Sequence, residues 1–149
     1  MIMKVKKLLD KLKKNVITIS SDATVYDALK LMAEKKINIL VVFEKEKMVG
    51  VLSKRDFPRK MILKKKKSKK TMVRDIMTSK VIQAAPNQKV SKCLSLMTKN
   101  RISHIPVLDK DHLVGILSME DIKSIYNNDL IAKRSSSPKI KEDSESDKT

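Results

Sequence analysis

Two places in this chain put a hydroxyl and a carboxylate three residues apart at the end of an apolar run. Ser53-Lys54-Arg55-Asp56 follows Met48 to Leu52, and Ser118-Met119-Glu120-Asp121 follows Leu113 to Leu117. An ionised carboxylate is acceptor-only and makes the stronger class of hydrogen bond, so such a pair can receive a hydroxylated ligand. The same spacing is also a helix capping box, in which the two side chains satisfy the first free backbone N–H groups. Both readings stand at this point. The residues around the pairs differ in charge: Lys54, Arg55, Arg59 and Lys60 accompany the first, Met119 and Glu120 the second. Phosphate oxygens are stabilised by the first set and repelled by the second.

Other reactive side chains carry less. His104 and His112 sit on different parts of one expected hairpin, with no Cys or carboxylate at ligand spacing, which argues against a metal site. Cys93, the single cysteine, falls on the apolar face of an expected helix and reads as a small buried thiol. With two glycines in the whole chain there is no phosphate-cradling loop, and no nucleophile stands beside a base. The expectation is a protein that is not an enzyme and uses no catalytic cofactor.

The two Ser-x-x-Asp pairs are copies of each other. Val16 to Phe57 aligns without a gap to Val81 to Ile122, with 14 identities in 42 pairs. Both glycines, Gly50 and Gly115, occupy one position of this repeat. A glycine inside an apolar, strand-like run marks a bulge or the close approach of another backbone or a ligand. Two copies are too few for an array, so the sequence describes one duplicated unit closing on itself.

Each unit reads as strand, helix, strand, strand, helix. Val16 to Ile19 is a short strand; Thr24 with Asp27 caps a helix reaching Lys36, whose stripe Val25, Ala28, Leu29 and Met32 has helical spacing. Ile39 to Phe43 and Met48 to Leu52 form a hairpin, and a helix starts at Ser53 and runs to about Leu63, with Pro58 in its early turns. The second unit gives strand Val81 to Ala84, helix Lys89 to Asn100, strands His104 to Leu108 and Leu113 to Leu117, and helix Ser118 to Asn127. Val5, Leu8, Leu9 and Leu12 make an amphipathic helix ahead of unit one. Met72, Val73, Ile76 and Met77 make a shorter one ahead of unit two. The expected organisation is residues 1–63 as the first repeat with its leading helix, 64–70 as a basic linker, 71–128 as the second repeat, and 129–149 as a disordered tail.

The totals agree with a globular body: 149 residues, 41% hydrophobic, 3% aromatic with no Trp, so the core is aliphatic and methionine-rich. The N-terminal Met-Ile-Met is followed by lysines rather than an apolar h-region, and no apolar run reaches the length of a membrane span. The expectation is a cytoplasmic protein without a membrane span. The net charge of +17 points to anionic partners, and lysine supplies 29 of the 34 basic residues. Lysine is a solvated point charge, whereas bidentate phosphate or base readout favours arginine.

With these residues in view, the chain resembles a tandem pair of CBS (cystathionine-β-synthase) domains, a Bateman module. The resemblance rests on the β-α-β-β-α unit in duplicate, the Val-Gly-Ile/Val-Leu-Ser-x-x-Asp signature and His104-Ile105-Pro106-Val107 before its second copy. It covers about residues 3–127 and is nearest to stand-alone bacterial pairs related to the regulatory insert of inosine monophosphate dehydrogenase. The fold class it implies is α/β of the α+β kind, two CBS repeats packed pseudo-symmetrically.

The resemblance implies a regulatory adenine-nucleotide sensor with two clefts between the repeats. One cleft would use Ser53 and Asp56, with Lys54 and Arg55, against Ile82, Gln83 and Ser103, with His104 at its mouth and Pro106 nearby. The other would use Ser118 and Asp121 against Ile17, Thr18 and Asn38. In each, the aspartate would accept from the ribose hydroxyls and apolar strand ends would flank the base. The uneven charge ranks the first cleft as the phosphate-binding one, with the second weaker or taking an uncharged adenosyl group. Expected partners are an adenine nucleotide (AMP, ADP, ATP or another adenosyl ligand), a second copy in a homodimer and an unknown protein effector. The alternative is electrostatic binding of RNA, DNA or an acidic surface through Lys64 to Lys70, with steep salt dependence.

Overall fold

The structure is a computed structural model that describes residues 3–62 and 67–135, with side chains as far as residue 127. The expected helix end at Leu63, the Lys64 to Lys66 part of the linker and the tail beyond Ser135 lie outside the described residues.

Helix α1 (Val5–Leu12) leads into strand β1 (Thr18–Ser20), helix α2 (Val25–Lys35) and the hairpin β2 (Ile39–Glu44) and β3 (Lys47–Ser53). Unit two has α3 (Val73–Ile76), α4 (Val90–Asn100), the hairpin β4 (His104–Asp109) and β5 (His112–Ser118), and α5 (Met119–Ser135). In the first sheet β1 runs parallel to β2, which pairs antiparallel with β3. In the second, β4 and β5 form an antiparallel pair. The Thr24 and Asp27 capping box opens α2 as expected: Asp27 N–H donates to Thr24 Oγ1 at 3.1 Å and Thr24 N–H to Asp27 Oδ2 at 3.3 Å. Of the expected α2 stripe, Val25, Ala28 and Met32 are buried, while Leu29 lies at its edge and is 39% exposed.

Three elements depart from the sequence reading. The expected strand Val81 to Ala84 shrinks to a single bridge, Ala84 to Val107. In unit one Val41 N–H donates to Ile17 C=O at 3.2 Å. Its counterpart in the repeat is Pro106, which has no N–H to give. The two remaining rungs, Ala84 N–H to Pro106 C=O at 3.0 Å and Leu108 N–H to Ala84 C=O at 2.9 Å, hold the segment alone. The helix expected from Ser53 begins at Asp56, because Ser53 still pairs with Ile39 as the last residue of β3, and it continues as a π-helical turn over Pro58–Ile62. Helix α5 runs past Asn127 to Ser135, since neither Gly nor Pro interrupts it there.

The leading helices cross over. Val5 and Leu8 of α1 are fully buried among Val90, Cys93, Met97, Ile105, Leu117 and Ile122, the core of unit two. Val73 and Ile76 of α3 are buried in the core of unit one with Val25, Met32, Leu40 and Leu52. Backbone bonds fix the exchange: Val5 N–H to Gln88 C=O and Val90 N–H to Met3 C=O on one side, Val25 N–H to Thr71 C=O and Val73 N–H to Ala23 C=O on the other, all 2.8–2.9 Å.

This exchange explains both glycines, neither of which has a positive φ. A Cβ on Gly50 would lie 2.7 Å from the Thr78 carbonyl oxygen, and one on Gly115 2.7 Å from Leu9 Cδ2. Each glycine is therefore the place where the segment led by the exchanged helix presses on the last strand of the opposite unit, and β-bulges fall across from them at Val42/Phe43 and Val107/Leu108.

Candidate functional site

The crossing leaves a cleft of about 560 Å³ between the two units. Its walls come from both: Lys14 to Ile17, Lys36 to Ile39 and Ser53 to Arg55 from the first, and Ser103, His104, Ile116 and Ser118 to Asp121 from the second. Matching loops build the two sides. Lys54 N–H donates to Asn38 C=O at 2.9 Å and Met119 N–H to Ser103 C=O at 2.8 Å, so each Ser-x-x-Asp turn is tied to the start of its own hairpin.

Asp121 lies at the N-terminal turn of α5 and is 9% exposed. Its Oδ2 accepts from Ser118 N–H at 3.1 Å, while Asp121 N–H donates to Ser118 Oγ at 3.0 Å, a complete capping box. Its Oδ1 accepts from Lys14 Nζ at 2.6 Å. Burial pushes the carboxyl's pKa up, but the hydrogen bonds from Lys14 and Ser118 outweigh it and hold the group below its ordinary value. His104, paired with Ser118 across the hairpin, shares a hydrogen with Ser103 Oγ at 3.0 Å. Burial lowers its pKa; Asp121 and Glu120 act the other way and Lys14 reinforces the lowering, so a neutral imidazole faces the cleft near neutral pH.

Asp56 is placed differently. Its Oδ2 accepts from Ser53 N–H at 2.8 Å and Ser53 Oγ at 3.3 Å, and Oδ1 lies 3.5 Å from Lys60 Nζ, which also donates to Ile76 C=O at 2.7 Å. Asp56 does not line the cleft, and neither do Ile82, Gln83, Pro106 and Thr18. Ser53, Lys54, Arg55, Ser103 and His104, which the resemblance grouped with Asp56, line it together with Asp121, Ser118, Ile17 and Asn38. Lys54 and Arg55 of the basic set thus share this cleft with Met119 and Glu120, while Arg59 and Lys60 do not line it. Lys14, Lys36, Lys54 and Arg55 surround it against the carboxylates of Glu120 and Asp121, an excess of positive charge beside isoleucine walls. That combination suits a flat apolar group carrying an anion.

Lys14, Lys36 and Ile116 were not picked out from the sequence. Lysine is too common here for its type to signal anything. The available signal was adjacency, Lys14 standing three residues before Ile17 and Lys36 two before Asn38. Among the described residues no cluster of three His, Cys, Asp or Glu side chains could hold a metal ion, and no helix is long and apolar enough to cross a membrane.

The CBS domain description matches residues 5–62 and 73–128. The chain belongs to the CBS domain family. It carries two CBS domains in tandem, and its relatives include both CBS-domain proteins and CBS-containing inosine monophosphate dehydrogenases. The mitochondrial CBS domain-containing protein CBSX3 of Arabidopsis thaliana is 41% identical over 108 residues, 69% of this chain and 52% of that protein. Inosine-5'-monophosphate dehydrogenase of Methanocaldococcus jannaschii is 35% identical over 111 residues, 73% of this chain and 21% of the enzyme. This CBS pair therefore spans about half the length of the first relative and a fifth of the second. Among solved structures, the CBS domain pair of MJ0100 in complex with 5'-methylthioadenosine and S-adenosyl-L-methionine superposes with a TM-score of 0.76 at 30% identity, covering 87% of this chain and 99% of that one.

Proposed function

We propose that this CBS pair is a non-catalytic regulatory module that binds an adenine nucleotide or related adenosyl ligand in the cleft and passes its occupancy to a protein partner. The observation that carries the reading is that both repeats build the cleft, with Asp121 on one wall and Lys54 and Arg55 on the other. A ligand in it contacts both repeats and so biases their relative placement, the two-state element that regulation needs. Asp121, buried and ionised, is the acceptor for ribose hydroxyls. Ile17, Ile39 and Ile116 flank the base, and Lys36, Lys54 and Arg55 meet phosphate. The complex of MJ0100 with two adenosyl compounds supports the ligand class. Two copies of the chain pair as a homodimer.

Isothermal titration with AMP, ATP, NAD and S-adenosylmethionine tests this. Saturable binding at about one site per chain is expected, weakened about tenfold or more by Asp121→Asn, since a charge-assisted acceptor is lost. Absence of saturable binding by all four compounds, or an Asp121→Asn chain that binds as well as the parent, would overturn it. RNA binding that falls steeply with salt in that same non-binding chain would transfer the role to the lysine-rich surface.

A further inference from the structure

Four cationic side chains border the cleft, and among the described residues only one of them, Lys14, has a carboxylate partner. That partner is Asp121. The ammonium sits 2.6 Å from Oδ1, the oxygen not committed to the Ser118 N–H. Lys14 follows Lys13, the left-handed residue that ends α1, so its backbone is anchored while its flexible side chain, 57% exposed, reaches across from the first unit to the second.

The Lys14 ammonium is the one donor on Oδ1 among the described residues, so a sugar diol that takes that place on Asp121 displaces it. The freed Lys14 then stands beside Lys36, Lys54 and Arg55 with its counterion lost, which is unfavourable unless the ligand brings negative charge with it. We propose, resting on the adenosyl reading above, that Lys14 is a specificity-determining residue of this cleft: an exchangeable counterion that holds Asp121 in the empty site and turns to the phosphate of an incoming nucleotide. The cleft then favours phosphorylated over unphosphorylated adenosyl ligands, because only the former replaces the ion pair it breaks. Exposure of the lysine keeps its hold on Asp121 modest, so exchange is affordable for a phosphorylated ligand.

Titration of AMP and adenosine into the full chain and into Lys14→Gln and Lys14→Arg provides the test. The expected result is a parent chain that prefers AMP, a Lys14→Gln chain in which AMP affinity falls about tenfold while adenosine affinity is unchanged or higher, and a Lys14→Arg chain that keeps the preference. Equal weakening of both ligands by Lys14→Gln would make Lys14 a structural tether, and no change in either would make it a surface ion pair; each overturns the inference and leaves the adenosyl reading standing. A parent chain that binds neither compound, together with ATP and S-adenosylmethionine, overturns the adenosyl reading itself.

Discussion

At the scale of single residues, the two glycines occupy the same repeat position under unequal constraint. The atom that a Gly50 Cβ would strike is the Thr78 carbonyl oxygen, itself accepting from Val51 N–H at 3.0 Å, so it cannot withdraw without breaking that bond. At Gly115 the obstacle is the far end of the Leu9 side chain, which can rotate. Gly50→Ala is expected to destabilise by about 1–3 kcal/mol and Gly115→Ala by less, read as a shift in urea midpoint at unchanged slope. Asp121 makes a second residue-level prediction. Burial raises its folded-state pKa, but the Lys14 and Ser118 hydrogen bonds hold it below the ordinary carboxylate value, so its contribution to stability is present above the unfolded value and is lost as pH falls through the folded one. Replacing Asp121 with Asn is expected to lower stability at neutral pH and to flatten the acid limb of the pH–stability curve. An unchanged acid limb would mean that other carboxylates carry it.

At the scale of elements, the repeated pattern made the fold legible where each segment obeys its own chemistry. The Thr24 capping box, the methionine-bearing stripes of α2 and α4 and the two hairpins all follow from local spacing. What failed to follow depended on a partner out of sequence reach. Val81 to Ala84 has a strand's composition, yet its pairing is decided by the residue opposite, and Pro106 withholds one rung. Pro106→Val, which restores the residue type of Val41, is expected to return an N–H donor to Ile82 C=O and to extend the pairing. Slowed hydrogen exchange at the amide of residue 106 would report it; an amide exchanging at the rate of open backbone would count against this account. The cleft was legible to the same degree. Ser118, Asp121, Ile17 and Asn38 were readable from the repeat and its family resemblance. That Ser53, Lys54 and Arg55 share this cavity while Asp56 does not depends on the local turn, where Lys60 and the Ser53 amide claim both carboxylate oxygens.

At the scale of the whole molecule, the expected division at residues 64–70 separates the repeats in sequence but not their cores. Val5 and Leu8 lie in the core of the second unit, where burial of the two contributes about 3–6 kcal/mol. A chain lacking residues 1–13 is therefore expected to lose stability chiefly in its second half. Cys93, fully buried with its thiol pKa raised by burial, is a ready reporter. It should resist thiol reagents in the intact chain and react in the shortened one. Equal protection in both would mean that α1 is dispensable to that core.

The exchange of leading helices also bears on how such a chain could have arisen. A half-length ancestor, one unit with one leading helix, would complete its core by accepting the helix of a second copy while lending its own. Joining two such copies end to end would carry every exchanged contact over intact, with the loop at the junction free to drift in length and charge. The two glycines would then be the marks of that twofold partnership, at matching places because chain led by the other half's helix lies across each.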